Sequence, residues 1–191
     1  GDHRDLHSFP TRRSSDLHIF TMMKKISNVL LERVKTEVIF SMPISFSPLQ
    51  MREIIMEHYQ YPRNIEDKSQ DKDYITVHMD SASCIDDIYV SVKIVEDKIV
   101  DCKWHYSDCC AISRASTSIM SELVIGKTIE EAKDIMDNFN NMLNEKDYDS
   151  DLLEEACCFK NTSAQPSRIG CATIGWRGFW NAVLEIQNGK R

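Results

Sequence analysis

Three cysteines and one aspartate stand where a single cation could gather them. Cys84 and Asp86 are two apart in Ala82-Ser83-Cys84-Ile85-Asp86-Asp87, a short break between two runs that alternate apolar and polar residues. Both side chains can therefore turn toward one ion. Cys110 opens the stretch Cys-Ala-Ile-Ser-Arg-Ala-Ser and Cys171 opens Cys-Ala-Thr-Ile-Gly-Trp, each just ahead of a helix-like segment. Three thiolates and a carboxylate complete a tetrahedral zinc site or hold an iron-sulfur cluster. From Cys84 to Cys110 is 26 residues and from Cys110 to Cys171 is 61, so no CxxC knuckle is present and the fold must bring the ligands together. That spacing favours a working site over a metal whose task is to hold a small fold together.

Local chemistry follows from the same placement. Free N–H groups and the positive end of a helix dipole favour a thiolate, so two of the three thiols are expected to lose protons easily. Three thiolates and a carboxylate around a divalent cation sum to −2, and Arg168, three residues before Cys171, is the candidate cation to offset that charge. Asp86 is the hard ligand among soft ones and the easiest to displace. Its exchange would let a partner's group enter and free a reactive thiolate.

The elements that must position these residues read as an α+β fold. Ser47-Pro48 is an N-cap followed by proline at the first helical position, and the helix runs through Met51, Ile54, Ile55 and His58 to stop before Pro62. Arg63 to Asp73 is polar and reads as a loop. Three strands follow, Tyr74–Asp80, Asp87–Val95 and Lys98–Tyr106, the last placing Val100, Cys102, Trp104 and Tyr106 on one face. Glu96-Asp97-Lys98 is of hairpin length. The result is a three-stranded antiparallel sheet with one apolar face, which helices must cover.

Ala111 to Ile125 is the first covering helix, ended by Gly126 in the left-handed cap position. A capping box at Thr128-Ile129-Glu130-Glu131 starts the next, with Ile129, Ala132, Met136, Phe139 and Leu143 as its stripe. Asn144 to Gly170 is polar, with a short helix around Leu152 to Cys158. The last helix spans Ala172 to Ile186, with Trp176, Phe179 and Val183 facing inward.

Composition excludes several classes. The chain has 191 residues and a formal charge of −7, which disfavours a nucleic-acid partner. No apolar run approaches the roughly 18 to 20 residues needed to cross a bilayer, and no signal peptide is evident, so a soluble cytoplasmic protein with no membrane partner is expected. Seven cysteines would leave one unpaired in a secreted protein, whereas a reducing compartment keeps thiols free for metal or sulfur chemistry. Residues 7–17 resemble the in-frame translation of a common DNA sequencing adapter. Residues 1–41 are therefore expected to be a non-native or unstructured leader, although Ile19 to Phe40 has helical spacing, and Met22, Met23, Met42 and Met51 are candidate starts. The leader carries 7 basic and 5 acidic groups, leaving 16 basic and 25 acidic in residues 42–191 and a charge near −9 there.

Four motifs in one order carry a family resemblance. Ile54-Ile55-Met56-Glu57-His58-Tyr59-Gln60-Tyr61-Pro62-Arg63-Asn64, the Cys84-Ile85-Asp86 loop, Cys110-Ala111-Ile112-Ser113 and Arg168-Ile169-Gly170-Cys171-Ala172-Thr173 together resemble the NifU/IscU-like iron-sulfur cluster assembly proteins, nearest the SufU branch. The resemblance spans about Pro48 to Ile186. It implies an α+β domain over residues 42–191 with a metal site of Cys84, Asp86, Cys110 and Cys171. In the SufU branch that site holds Zn2+ and accepts persulfide sulfur from a SufS-like cysteine desulfurase, with Cys84 as the acceptor and Arg168 beside it. In the IscU branch the same positions, with Cys84, Cys110 and Cys171 as thiolate ligands, take up Fe2+ and assemble a [2Fe-2S] cluster for acceptor proteins. The long Asn144 to Gly170 segment, Gly170 where the IscU branch has histidine, and the lack of that branch's proline-rich motif favour the SufU reading.

Three positions depart from the family pattern. Ile85 stands for the usual glycine of a Cys-Gly-Asp turn, and Ala82 and Cys109 replace a usual proline and glycine. If the turn needs positive φ, a β-branched residue there is strained, which leaves a third reading, an inactive zinc-stabilised homologue. Of the other thiols, Cys102 reads as a core side chain, Cys109 as a drifted glycine position, and Cys157-Cys158 as exposed and prone to oxidation. His78 and His105 read as solvated residues on polar strand faces.

Overall fold

The computed structural model describes residues 44–189. The expectations for residues 1–41, including the adapter-like stretch and the Ile19 to Phe40 periodicity, lie outside them. The first helix, α1 (Pro48–Gln60), is capped as its sequence requires. Ser47 Oγ accepts from the Gln50 N–H at 3.3 Å, and Gln50 Oε1 accepts from the Ser47 N–H at 2.9 Å. Beyond it, Arg63-Asn64 straps onto the sheet. The Trp104 N–H bonds to the Asn64 carbonyl at 3.2 Å and the Trp104 indole N–H bonds to the Arg63 carbonyl at 2.8 Å.

Strands β1 (Ile75–Asp80), β2 (Asp87–Val95) and β3 (Lys98–Asp108) form an antiparallel sheet in that order. Val77, Val90 and Trp104 stand opposite one another across it. The β2–β3 hairpin turns on Glu96 and Asp97, with φ of 50° and 64°; two left-handed residues in succession match the strand twist. The inner face holds Ile88, Val90, Val92, Cys102 and Trp104, all fully buried.

One inward position differs from expectation. Val100 is exposed and Ile99 is buried in its place. A register shift between Lys93 and Ile94 pairs Lys93 with Asp101 but Ile94 with Ile99, so Val100 is the extra residue of a bulge and the alternation flips there. Ile99 is then bracketed by the turn after the next helix. Its N–H bonds to the Lys127 carbonyl at 2.9 Å and its carbonyl accepts from the Gly126 N–H at 2.7 Å.

Helices α2 (Ala111–Val124), α3 (Ile129–Leu143), α4 (Ser150–Leu153) and α5 (Pro166–Gln187), with a 3-10 segment Glu154–Ala164, complete the described fold. Gly126, at φ 83°, separates α2 from α3 as expected, and the Thr128/Glu131 capping box starts α3. Helix α5 lies across β1 and β2 and against α2. Two glycines permit that approach. A Cβ on Gly175 would meet Thr117 Oγ1 at 2.2 Å, and one on Gly178 would meet Met79 at 2.9 Å. Trp176 stacks on Phe139 with centroids 4.2 Å apart, and Phe159 meets Phe139 edge-on.

Two further expectations are corrected. Helix α5 starts at Pro166, not Ala172, because proline is well suited to a first helical turn; Cys171 therefore lies inside the helix. Cys157 and Cys158 are buried, not exposed. The polar sequence around them hides an apolar underside of Leu153, Ala156 and Phe159 that packs into the core.

Candidate metal centre

The four candidate ligands come from three pieces of the frame. Cys84 lies on the β1–β2 loop between exposed Ser83 and Ile85, while Asp86 is buried at the foot of β2. Cys110 is the residue that caps α2, and Cys171 is buried in the second turn of α5. One donor atom from each of the four comes within 4.8 Å of all the others. With zinc–sulfur bonds of about 2.3 Å and zinc–oxygen bonds of about 2.0 to 2.2 Å, ligand atoms this close suit a tetrahedral cation, and the soft-plus-carboxylate set suits zinc or iron.

Asp86, expected to be the ligand most easily displaced, is instead tied to the frame by two hydrogen bonds. Its Oδ1 accepts from the Cys110 N–H at 2.8 Å and from the Ser113 hydroxyl at 2.6 Å, which leaves Oδ2 facing Cys110 Sγ at 3.8 Å. Burial pushes this carboxyl up, but the bonds from Ser113, the Cys110 N–H and the neighbouring thiols outweigh it and hold it below its ordinary value. Ser113 also lies 3.3 Å from Cys110 Sγ and 3.1 Å from Cys109 Sγ. One hydroxyl thus ties the carboxylate to the helix that carries a ligand thiol.

The expected easy loss of protons does not extend to Cys171. Burial pushes its thiol well above the ordinary range, with the Cys84 hydrogen bond and the charges of Cys110 and Asp86 adding to the effect. The physical reason is its place in the helix: being beyond the first turn, it meets no free N–H end. Cys84 is also raised, chiefly by burial, although its bond with Cys171 works in the opposite sense. A cation that displaces both protons would find the donor set already assembled.

Two arginines lie on the helices that begin beside Cys110 and carry Cys171. Arg168 is exposed in the first turn of α5 and forms no ion pair with another described residue. Arg114 stands one helical turn after Cys110, its guanidinium between the rings of Tyr59 and Tyr106 at 5.1 and 4.9 Å. Its buried Nε has no hydrogen-bond partner among the described residues. Burial pushes the Cys109 thiol up to about 12, and the Ser113 bond and the Arg114 charge offset only part of that. Sequence reasoning quoted Ser113 within a motif but gave neither it nor Arg114 a role.

Ile85 carries no strain, since its φ is not among the positive values, so the loop accepts a β-branched residue in an ordinary conformation. His78 and His105 stack on either side of Tyr89, with centroids 4.4 and 4.6 Å away, and neither joins the cluster. His58 is buried between Ser118 Oγ at 2.8 Å and Glu155 Oε2 at 2.9 Å. Ser118 Oγ also accepts from the Arg63 N–H at 2.8 Å, so one hydroxyl holds both the histidine and the strap that follows α1. This histidine joins α1 to α2 and to the 3-10 segment and is a structural residue, remote in role from the thiols.

The family model for the NifU-like N-terminal domain matches residues 50–171. The chain belongs to the NifU-like N-terminal domain family. Among its relatives, the zinc-dependent sulfurtransferase SufU of Bacillus subtilis is 34% identical over 139 residues, 72% of this chain and 92% of the relative. The iron-sulfur cluster assembly scaffold protein IscU of Streptococcus pyogenes serotype M1 is also 34% identical, over 60% of this chain and 72% of its own length. A crystal structure of an iron-sulfur cluster assembly scaffold protein for the SUF system from Fervidobacterium islandicum superposes with a TM-score of 0.62 at 31% identity, over 68% of this chain and 93% of that one. The NifU-like N-terminal protein of Brucella abortus shares the fold, with a TM-score of 0.63 at 21% identity over 74% of this chain and 99% of that one. No described helix is long and apolar enough to cross a membrane.

Proposed function

We propose that this member of the family works in iron-sulfur cluster assembly as a zinc-dependent sulfur acceptor, taking persulfide sulfur from a cysteine desulfurase. The observation that carries this reading is the convergence of Cys84, Asp86, Cys110 and Cys171 within 4.8 Å, on a chain similar to a protein named a zinc-dependent sulfurtransferase. Bound zinc would be held by these four residues and would keep the thiols deprotonated at neutral pH.

The placement of the four residues supports Cys84 as the acceptor. Cys110 caps one helix and Cys171 lies inside another, so moving either disturbs an element. Cys84 lies on a loop beside exposed residues and can turn outward alone. Its thiolate attacks the outer sulfur of the desulfurase persulfide. The Cys84–sulfur bond forms as the donor's S–S bond breaks, the donor cysteine leaves as thiolate, and the transferred sulfur keeps its proton, so no external oxidant or reductant is needed. Asp86, fixed by Ser113 and the Cys110 N–H, stays in place while Cys84 swings out.

A second reading, a scaffold that assembles a [2Fe-2S] cluster from Fe2+ and sulfide, is favoured by the same donor set and by the relatives named IscU. Desulfurase turnover with and without the zinc-loaded chain, beside Cys84→Ala, separates the two. Stimulation that the substitution abolishes supports sulfur acceptance. No stimulation, with oxygen-sensitive colour once iron and sulfide are supplied, supports the scaffold. Zinc with neither effect identifies the inactive homologue.

A further inference from the structure

A groove of about 280 Å3 lies between α1, the 3-10 segment and the starts of α2 and α5. Its apolar lining includes Met51, Ile55, Met56 and Ile112, and Arg52 and Arg168 stand at its edge. Ile112 follows Cys110 by two residues and Arg168 precedes Cys171 by three, so the groove begins where two ligands are anchored. None of its lining residues is acidic. Neither arginine forms an ion pair with another described residue, and both are exposed. On a chain of net charge −7, this is an apolar trough edged by two positive charges that no described carboxylate pairs.

We propose that this groove docks an extended or helical segment of the sulfur-donating partner, one that presents an apolar side chain flanked by carboxylates. Charge complementarity selects that chemistry: arginine edges attract carboxylates and set orientation, while flexible methionines fit an apolar side chain of unspecialised shape. A volume of about 280 Å3 takes one large apolar side chain or two small ones. The chain's own residues 1–41 carry 7 basic and 5 acidic groups and do not complement the arginines. Two copies meeting groove to groove would set arginine against arginine. The assignment rests on the sulfur-acceptor reading for the partner's identity.

Binding of the full chain, zinc-loaded, to a cysteine desulfurase is measured by calorimetry, separately from turnover. Arg52→Glu and Met56→Lys are each expected to weaken binding roughly tenfold, while Arg52→Lys stays near the unaltered chain. Zinc content and melting temperature should be unchanged, and added salt should weaken the unaltered chain more than Arg52→Glu. Unchanged affinity in both variants, or no binding by the unaltered chain, overturns the assignment. So does a dimer that Arg52→Glu dissociates, since a second copy would then occupy the groove. Binding that the groove variants weaken, without stimulation by the unaltered chain, would sink sulfur acceptance and leave the groove standing.

Discussion

Two groups of cysteines in this chain share a residue type and differ in everything that decides reactivity. Cys84, Cys110 and Cys171 converge around Asp86, a carboxylate held by a backbone N–H and a hydroxyl. Cys157 and Cys158 lie in the 3-10 segment among Leu153, Ala156 and Phe159, and Cys102 faces the sheet core beside Trp104. Burial alone does not separate the groups, since Cys171 is as buried as Cys157, each with 3% exposure. What separates them is company: a ligand thiol has other donors within reach of the same point, and a core thiol has hydrocarbon.

The largest break in this comparison comes from substituting one thiol in each group. Cys171→Ser should lower zinc affinity by more than about a hundredfold, because it replaces a first-choice soft ligand. Cys102→Ser should leave zinc affinity unchanged while lowering the melting temperature, since it buries a hydroxyl in a fully apolar place. Competition with a chromophoric chelator measures the first, and a melting curve the second.

Protonation provides the next contrast. Burial pushes the Cys157 thiol from an ordinary 9.0 up to about 11. At pH 8 the folded chain should therefore hold about a hundredfold less Cys157 thiolate than the urea-unfolded chain, and alkylation of Cys157 should be slower by a similar factor. Mass mapping of iodoacetamide adducts reads this directly. The sign for stability follows: the folded state keeps the proton to higher pH than the unfolded state does. This contribution is complete below pH 9 and is lost as pH rises from 9 through about 11.

Sequence alone singled out the residues of the first group that converge and misread the surroundings of the second. The four ligands stand out because each sits at a recognisable junction: the break between two alternating runs, or the approach to a helix. Gly126 and the Thr128/Glu131 box were readable because caps are local chemistry. Cys157 and Cys158 misled because the residues around them are mostly polar, and only tertiary packing turns Leu153, Ala156 and Phe159 to one side. Val100 misled because a bulge depends on the partner strand's register. The start of α5 at Pro166 was masked by the polar run before it. His58 had no local signal at all, since Ser118 and Glu155 are 60 and 97 residues away.

Ser113 tests whether the site's company matters beyond the ligands. Ser113→Ala removes the hydroxyl that holds Asp86 Oδ1 at 2.6 Å, leaving the Cys110 N–H as its remaining donor. Loss of such an outer-shell partner is expected to weaken zinc binding by about 10- to 100-fold, less than Cys171→Ser. Ser113→Thr, which restores a hydroxyl, should recover part of the loss. An alanine variant that binds zinc as tightly as the unaltered chain would mean that the Cys110 N–H alone fixes the carboxylate.

Cys109 stands between the two groups and gives the smallest effect. It adjoins Cys110 and lies 3.1 Å from Ser113 Oγ, yet it is absent from the four that share one point. Burial pushes its thiol up to about 12, but the ligand thiols Cys84 and Cys171 are raised as well, so what sets Cys109 apart is its place outside the shared point. Ser113 does not need it, since the hydroxyl donates to Asp86 and the thiol only adds a weak donor to the serine oxygen. Cys109→Ala should therefore change zinc affinity by less than about threefold, below the effect of an outer-shell partner, and leave one zinc bound per chain. If the substitution instead lowered zinc affinity as far as Ser113→Ala, nearness to the cluster would count for more than a shared focus, and Cys109 would belong with the ligands.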